Sequence, residues 1–216
     1  MTTTSGASVV LQGVPWKTYE CLVETINNPG VRLTYDNGSL EIMSPTPAHE
    51  KRNRRLSSFV EALADVWEIE IENFGAATFR HTGMTRGTEP DTCFYVQRVQ
   101  AVMGREDINL NTGDPAPDLV IEVDVTSDSI NKLPIYERFG VPEVWRMDED
   151  HVSLLLLSEN GYVEGRQSAA LPLLSAAQLN AFMKRGATQS RLLWLREVRA
   201  WAETQSQLSE TSDDNL

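Results

Sequence analysis

The chemistry of this chain starts from a carboxylate set among apolar residues. Glu122 stands inside PDLVIEV (117 to 123), a run rich in branched side chains with the composition of a buried central strand. In such a strand an unpaired carboxylate loses more in hydration than packing returns, so it must be ion-paired, bound to a cation or turned to solvent. Side chains alternate along a strand, which puts Asp118, Glu122 and Asp124 on one side of it. Asp118 would lie ~13 Å from Glu122, too far to share one hard cation, while Asp124 at ~6.6 Å is within reach. Asp91, of the pair Pro90-Asp91, opens a second extended run from Thr92 to Val96. Laid beside the first strand, that run brings Asp91 to a ladder spacing of ~4.8 Å from Glu122. Two carboxylates on neighbouring strands suit Mg²⁺, with Mn²⁺ as the alternative, because Mg²⁺ keeps several waters and takes one or two carboxylates beside a substrate phosphate. Taken singly, Asp91 equally fits a strand-opening turn, and Glu122 a buried ion pair with an arginine such as Arg80 or Arg138.

The elements that would position these groups are legible from periodicity. Trp16, Tyr19, Leu22, Val23 and Ile26 repeat at helical spacing after Pro15. Val31 to Tyr35 and Ser39 to Met43 flank Asn37-Gly38, the strongest local signal of a tight hairpin, and that register sets Thr34 opposite Glu41. Beyond the prolines of SPTPAHE, the residues Leu56, Phe59, Val60, Leu63 and Trp67 predict one long helix. Extended segments are expected around Ile69 to Phe79. Ser127-Asp128-Ser129 offers N-cap chemistry for a helix through Ile130, Leu133, Tyr136 and Phe139, closed by Gly140 and Pro142. Glu143 to Met147 and Val152 to Leu156 read as paired strands, with helices at about 175 to 185 and 190 to 202. Tyr136 and Trp145 sit at core spacing, and Asp124 reads as a residue capping the turn at the strand end. The fold class that follows is mixed α/β with a central buried sheet. A single domain is expected at 8–202, and 203–216, which carries Glu203, Glu210, Asp213 and Asp214 without a cation, reads as a disordered acidic tail.

Composition narrows the function classes. The chain has 216 residues, 41% of them hydrophobic, which excludes wholesale disorder. No apolar run reaches the ~18 residues of a membrane span, and the first residues lack the charge and apolar stretch of a signal peptide. Two isolated cysteines, Cys21 and Cys93, fit reduced thiols in a cytoplasmic protein. A net charge of -12 opposes indiscriminate coating of nucleic acid, so any such contact must use local cations. Lys51, Arg52, Arg54 and Arg55 form one cluster, read either as a solvated helix face or as that contact, and Arg80 and Arg86 are the second candidates.

Pro90-Asp91, PDLVIEV with its Glu122, and NKLPIYERFGVPEVWRMD together resemble the Uma-two family of restriction-endonuclease domains, a branch of the PD-(D/E)XK nuclease superfamily. The last string is the strongest match, and the similarity runs from about Val31 to Met147. The resemblance implies a restriction-endonuclease-like core, a central mixed sheet flanked by helices, and Mg²⁺-dependent phosphodiester hydrolysis with DNA as the expected partner, a homodimer being one arrangement. It carries Asp91 over as first carboxylate, Glu122 as second and Lys132 as the lysine displaced onto the following helix. His49 matches a histidine placed after the MSP segment, although a histidine near a helix start is often only a capping residue. Two positions depart from the pattern: Asp124 occupies the usual place of the lysine, and Thr34 stands where the family often has Glu. Glu41, opposite Thr34 in the hairpin, could fill nearly the same space as that missing Glu, or be an exposed edge-strand residue. The rival reading is a non-catalytic interaction module on the same scaffold.

Overall fold

The computed structural model describes residues 7–26, 30–124, 130–149 and 151–213. In chain order the elements are β1 (Ala7–Leu11), α1 (Trp16–Thr25), β2 (Arg32–Asp36), β3 (Ser39–Ser44), α2 (Pro47–Trp67), β4 (Glu72–Asn73), β5 (Phe79–His81), β6 (Arg86–Thr88) and β7 (Thr92–Tyr95). They continue with α3 (Val99–Val102), β8 (Leu119–Asp124), α4 (Leu133–Phe139), β9 (Glu143–Asp148), β10 (His151–Ser158), β11 (Gly161–Glu164), α5 (Ala176–Thr188) and α6 (Arg191–Asp213). The class is mixed α/β, as expected, and the central mixed sheet is joined by a second sheet. One is antiparallel in the order β1-β3-β2-β6-β5; the other is mixed, in the order β11-β10-β9-β8-β7-β4, with β8 and β9 parallel.

The β2–β3 hairpin turns on Asn37 and Gly38, both at positive φ (47° and 99°), as a two-residue turn with matching twist demands. Its register pairs Thr34 with Glu41, as the sequence implies. On this sheet Tyr19 of α1 stacks on Tyr35, centroids 5.1 Å apart. A Cβ at residue 87 would lie 2.1 Å from the Tyr19 hydroxyl oxygen, so glycine is what lets the ring seat on β6.

Around the mixed sheet, β8 is covered on both faces: Leu119, Val120 and Ile121 are fully buried. Leu119, Ile121 and Val123 face a core filled by α2, α5 and α6, where Phe59, Phe182, Trp194 and Trp201 make ring contacts. Val120 joins Cys93, Tyr95 and Tyr136 in a second core on the opposite face. Val120 and Glu122, two apart on β8, therefore share the α4 side.

Three expectations change. The helix expected from Ile130 begins at Leu133, with Lys132 as its N-cap residue. Pro134 explains this, since proline fits only the first turn of a helix. The capping run Ser127 to Ser129 lies outside the described residues, as does the side chain of Asp124. Residues 203–213 are helical rather than a disordered tail, because α6 continues to Asp213 after docking on α2, where Trp67 Nε1 donates to the Ala202 carbonyl at 3.0 Å. The short strands β1, β6 and β11 were not expected at all.

Glu143, in the string that carries the family resemblance, is fully buried and braces the sheet. It accepts from Trp145 Nε1 (2.5 Å), Ser168 Oγ (3.1 Å) and the backbone N–H groups of Ala169 and Ala170 (both 2.8 Å). That network fixes the 168–170 segment, which leads into α5, against β9. Glu143→Gln turns an amide N–H₂ toward these donors and should lower stability by about 1–3 kcal/mol. Urea unfolding would read this as an earlier midpoint at unchanged slope, whereas an unmoved midpoint would show that the network contributes nothing.

Candidate active site

The chain changes sheet at one corner. β6 belongs to the antiparallel sheet and β7 to the mixed one, and Glu89-Pro90-Asp91 connects them. β7 pairs antiparallel with β8, Thr92 opposite Ile121 and Cys93 opposite Val120. One further step of that register sets Asp91 opposite Glu122, on the face they share with Cys93 and Val120. The sequence expectation of adjacency holds.

Asp91 is 3% exposed. Its Oδ2 accepts the Val123 backbone N–H at 2.8 Å and lies 3.0 Å from Nε2 of His49, which is itself 1% exposed. Its Oδ1 is buried and has no hydrogen-bond partner among the described residues. α2 supplies both supports of this residue. Thr46 caps the helix by accepting the His49 backbone N–H, which sets the imidazole in the first turn, and one turn later Asn53 Nδ2 donates to the Asp91 carbonyl at 2.9 Å. Burial alone would raise the Asp91 carboxyl, but His49 and the Lys132 ammonium hold it below the ordinary carboxylate value.

Two side chains, Lys132 and Tyr136, donate to Glu122. Lys132 Nζ approaches Oε2 at 2.9 Å and also donates to the Glu89 carbonyl at 3.2 Å, while the Tyr136 hydroxyl donates to Oε1. Burial pushes the Glu122 carboxyl up to about 7, against the pull of Lys132 and with the help of Asp91. Lys132 is pulled down by burial, but Glu122 and Asp91 outweigh that and raise it. Glu122 thus pairs with Lys132, not with Arg80 or Arg138. Arg80 and Arg86 face Glu24 and Asp36, at 3.4 and 2.8 Å.

Glu41 is buried, at 2% exposure, rather than on an open edge. It accepts from Ser8 Oγ (2.6 Å) and the Ile130 backbone N–H (3.1 Å), and its charge acts on Lys132. Beside it, Thr34 and Thr88 share a hydrogen bond of 3.1 Å. Asp118 is spent elsewhere, accepting the backbone N–H groups of Val96 and Arg98. The structure therefore gathers Asp91, Glu122, Lys132, His49 and Glu41 at one corner.

Sequence reasoning missed two members. Tyr136 was taken for core, and its ring is core; the hydroxyl is what reaches Glu122, and Glu122 pushes the phenol further toward its protonated, donating form after burial has already raised it. Glu89 was not singled out, yet it ties the corner by accepting from Leu33 N–H (3.1 Å) and Thr78 Oγ1 (2.8 Å). Tyr136 stands four residues after Lys132 in the helix signature, a spacing that could have marked both as facing one group.

A family model described as "Putative restriction endonuclease", Uma2, matches residues 16–186. The chain belongs to the Uma2 family. Among solved structures, a crystal structure titled as a "putative nuclease belonging to DUF820", from Anabaena variabilis ATCC 29413, is similar in fold: the TM-score is 0.52 at 16% identity, over 75% of this chain and 96% of that one. A search of curated proteins finds no match. No helix among the described residues is long and apolar enough to cross a membrane.

Among the described residues of this Uma2 chain, no group of three or more His, Cys, Asp or Glu side chains could hold a metal ion. Two hard carboxylates are nonetheless a donor set that Mg²⁺ accepts, with water completing the shell. The unpartnered, buried Oδ1 of Asp91 is the acceptor such a cation would satisfy. The residues fit the ion.

The His49–Asp91 pair has a defined pH window. Burial lowers the His49 imidazole, and Asp91 more than reverses this, leaving its pKa above the ordinary 6.5. A raised histidine contributes stability that is complete below its unfolded pKa and lost as pH rises through the folded one. A lowered aspartate contributes stability that is present above its unfolded pKa and lost as pH falls through the folded one. The pair is therefore strongest from mildly acidic to neutral pH. In metal-free protein, an NMR titration of His49 should give a pKa above 6.5, and Asp91→Asn should bring it below. A His49 pKa that Asp91→Asn leaves in place would show that the two do not interact.

Proposed function

We propose that this protein is a nuclease dependent on Mg²⁺, or Mn²⁺, that hydrolyses phosphodiester bonds of DNA in the cytoplasm, from a site made of Asp91, Glu122 and Lys132 with Glu41 and His49 in support. The observation that carries this reading is the pairing of Lys132 Nζ with Glu122 at 2.9 Å beside the buried, unpartnered oxygen of Asp91. Membership of the Uma2 family and likeness to a fold titled as a nuclease point the same way. The free cysteines Cys21 and Cys93 support a reducing compartment.

In this reading Asp91 and Glu122 would hold the ion, which when bound supplies Lewis-acid polarisation of the phosphate and a water of lowered pKa. His49 keeps Asp91 ionised and aimed. Tyr136 holds one Glu122 oxygen while the other faces Lys132, which fixes the orientation of the carboxylate. Without the ion, burial pushes the Glu122 carboxyl up to about 7; a bound cation would favour its ionised form, which is the form that ligates. Lys132, kept charged by its carboxylate neighbours, donates to the negative charge that develops on the phosphoryl oxygens. Glu41 adds negative potential behind Lys132 and helps keep it protonated.

A second reading, an interaction module without catalysis, draws on the engagement of both Glu122 oxygens by Tyr136 and Lys132 and on the two-carboxylate donor set. The two readings part in one assay: metal-dependent cleavage of single- and double-stranded DNA and RNA, with EDTA as control. The nuclease reading expects cleavage in Mg²⁺ or Mn²⁺ and a loss of roughly a hundredfold or more for Lys132→Ala, as when a transition-state donor is removed, with the circular dichroism spectrum unchanged. Tyr136→Phe should give a smaller loss, with the upper arm of the pH–rate profile retained. A wild-type protein that cleaves nothing in any divalent metal would favour the interaction module.

A further inference from the structure

A groove of about 610 Å³ lies between α2 and the junction of α5 with α6, away from the carboxylate pair. Lys51, Arg54 and Arg55 of α2 line one wall and Arg191 of α6 the other, with Glu50 the one acidic residue in the lining. In a chain of net charge -12, this is a local reversal of sign. Lys51, Arg54 and Arg191 are exposed. The groove is also built rather than incidental. Gly186 forms part of its lining, and a Cβ there would meet Trp194 Nε1 at 2.8 Å and Arg55 Cδ at 2.9 Å. The missing side chain lets the Arg55 stem lie against the buried Trp194 indole, whose Nε1 donates to the Phe182 carbonyl at 2.9 Å. Arg191 donates to Ser58 Oγ at 3.2 Å across the two walls.

We propose that this groove binds the phosphodiester backbone of nucleic acid and presents it to the carboxylate site. The inference rests on the nuclease reading for its biological sense but not for its test. Lys51, Arg54 and Arg191, the exposed cations of this open channel, neutralise phosphates without reading bases. Trp194, 1% exposed, is unavailable for stacking, so no base preference is expected from this contact. The groove and the site are linked through α2. Glu50, in the groove lining, stands 4.0 Å from His49 Nδ1, and His49 stands 3.0 Å from Asp91. One helix therefore carries the cations on one side and the supports of Asp91 on the other.

The test measures binding and chemistry separately, on the full chain. Fluorescence anisotropy with a labelled DNA oligonucleotide in EDTA reads affinity without cleavage, as a function of salt. Lys51→Glu/Arg54→Glu should weaken binding at least tenfold and flatten the salt dependence by roughly 0.7–0.9 in slope per cation removed. Lys17→Glu, on α1 outside the groove, should weaken it far less than Lys51→Glu. Hydrolysis of bis(4-nitrophenyl) phosphate in Mn²⁺, a diester too small to span to the groove, should be equal in wild type and double variant. Wild-type protein that does not bind at low salt, or a double variant that binds as wild type does, overturns the groove proposal. Absence of diester hydrolysis in both proteins, with the binding difference intact, would overturn the nuclease reading and leave the groove standing.

Discussion

Two carboxylates face each other across one rung of a largely buried sheet, and most of the corner answers that repulsion. At the ~4.8 Å spacing of a ladder, two unit negative charges repel by about 3 kcal/mol at an effective dielectric near 20. Burial adds to the difficulty by disfavouring both charges. The structure resolves the conflict asymmetrically. Asp91 receives His49, a backbone N–H and the field of Lys132 and is held ionised, while Glu122, despite Lys132 and Tyr136, is left close to neutrality in its titration. Environments that drive a pair of carboxyls apart in this way leave one group fixed as an anion and the other able to exchange a proton.

No residue of β8 itself carries a positive charge, and this dictates where the site sits. It has to lie where another element reaches the strand's end. Lys132, the residue before α4, meets this need from the C-terminal side of β8, and its ammonium bridges Glu122 to the Glu89 carbonyl of the sheet-switching segment. His49 meets it from the first turn of α2. The antiparallel sheet contributes through the same corner: Glu41 of β3 and the Thr34–Thr88 pair pack behind Lys132 and Tyr136. A carboxylate at 41 in place of one at 34 is permitted because the Asn37-Gly38 turn makes them direct cross-strand partners.

What could be read beforehand divides along the reach of the interactions. The hairpin was legible because its turn is local chemistry, and β8 because an apolar run with one carboxylate announces itself. Adjacency of Asp91 and Glu122 followed from two motifs that each open or interrupt a strand. The start of α4 was misplaced because Ser127-Asp128-Ser129 offers attractive caps, while the constraint that decided it, Pro134, acts one turn later. Strands β1, β6 and β11 have three to five residues and owe their conformation to partners distant in sequence. Tyr136 was half legible: spacing identified the ring as core, but a hydroxyl's partner is a tertiary fact. The ordered extension of α6 was hidden by composition, since its polar residues resemble a tail until Trp67 and Trp201 dock the preceding turns.

Helix α2 ties these observations together mechanically. Its residues rise ~1.5 Å each, so His49 and Arg55 lie ~9 Å apart along the axis. Within that length the helix supplies His49 and Asn53 to Asp91 on one side, and Lys51, Arg54 and Arg55 to the groove on another. Its far end is clamped between the mixed sheet and α6 through Phe59, Leu63 and Trp67. A load placed on the cationic side of so short and well-packed a span is not absorbed by bending, since kinks in helices need proline, a bulge or an inserted group. The first turn also carries Pro47, at a position where proline stiffens the start of a helix without costing a hydrogen bond. The element that aims Asp91 and the element that bears the basic residues are thus one rigid body, and any anion that settles against Lys51 and Arg54 does so at a fixed offset from the carboxylates.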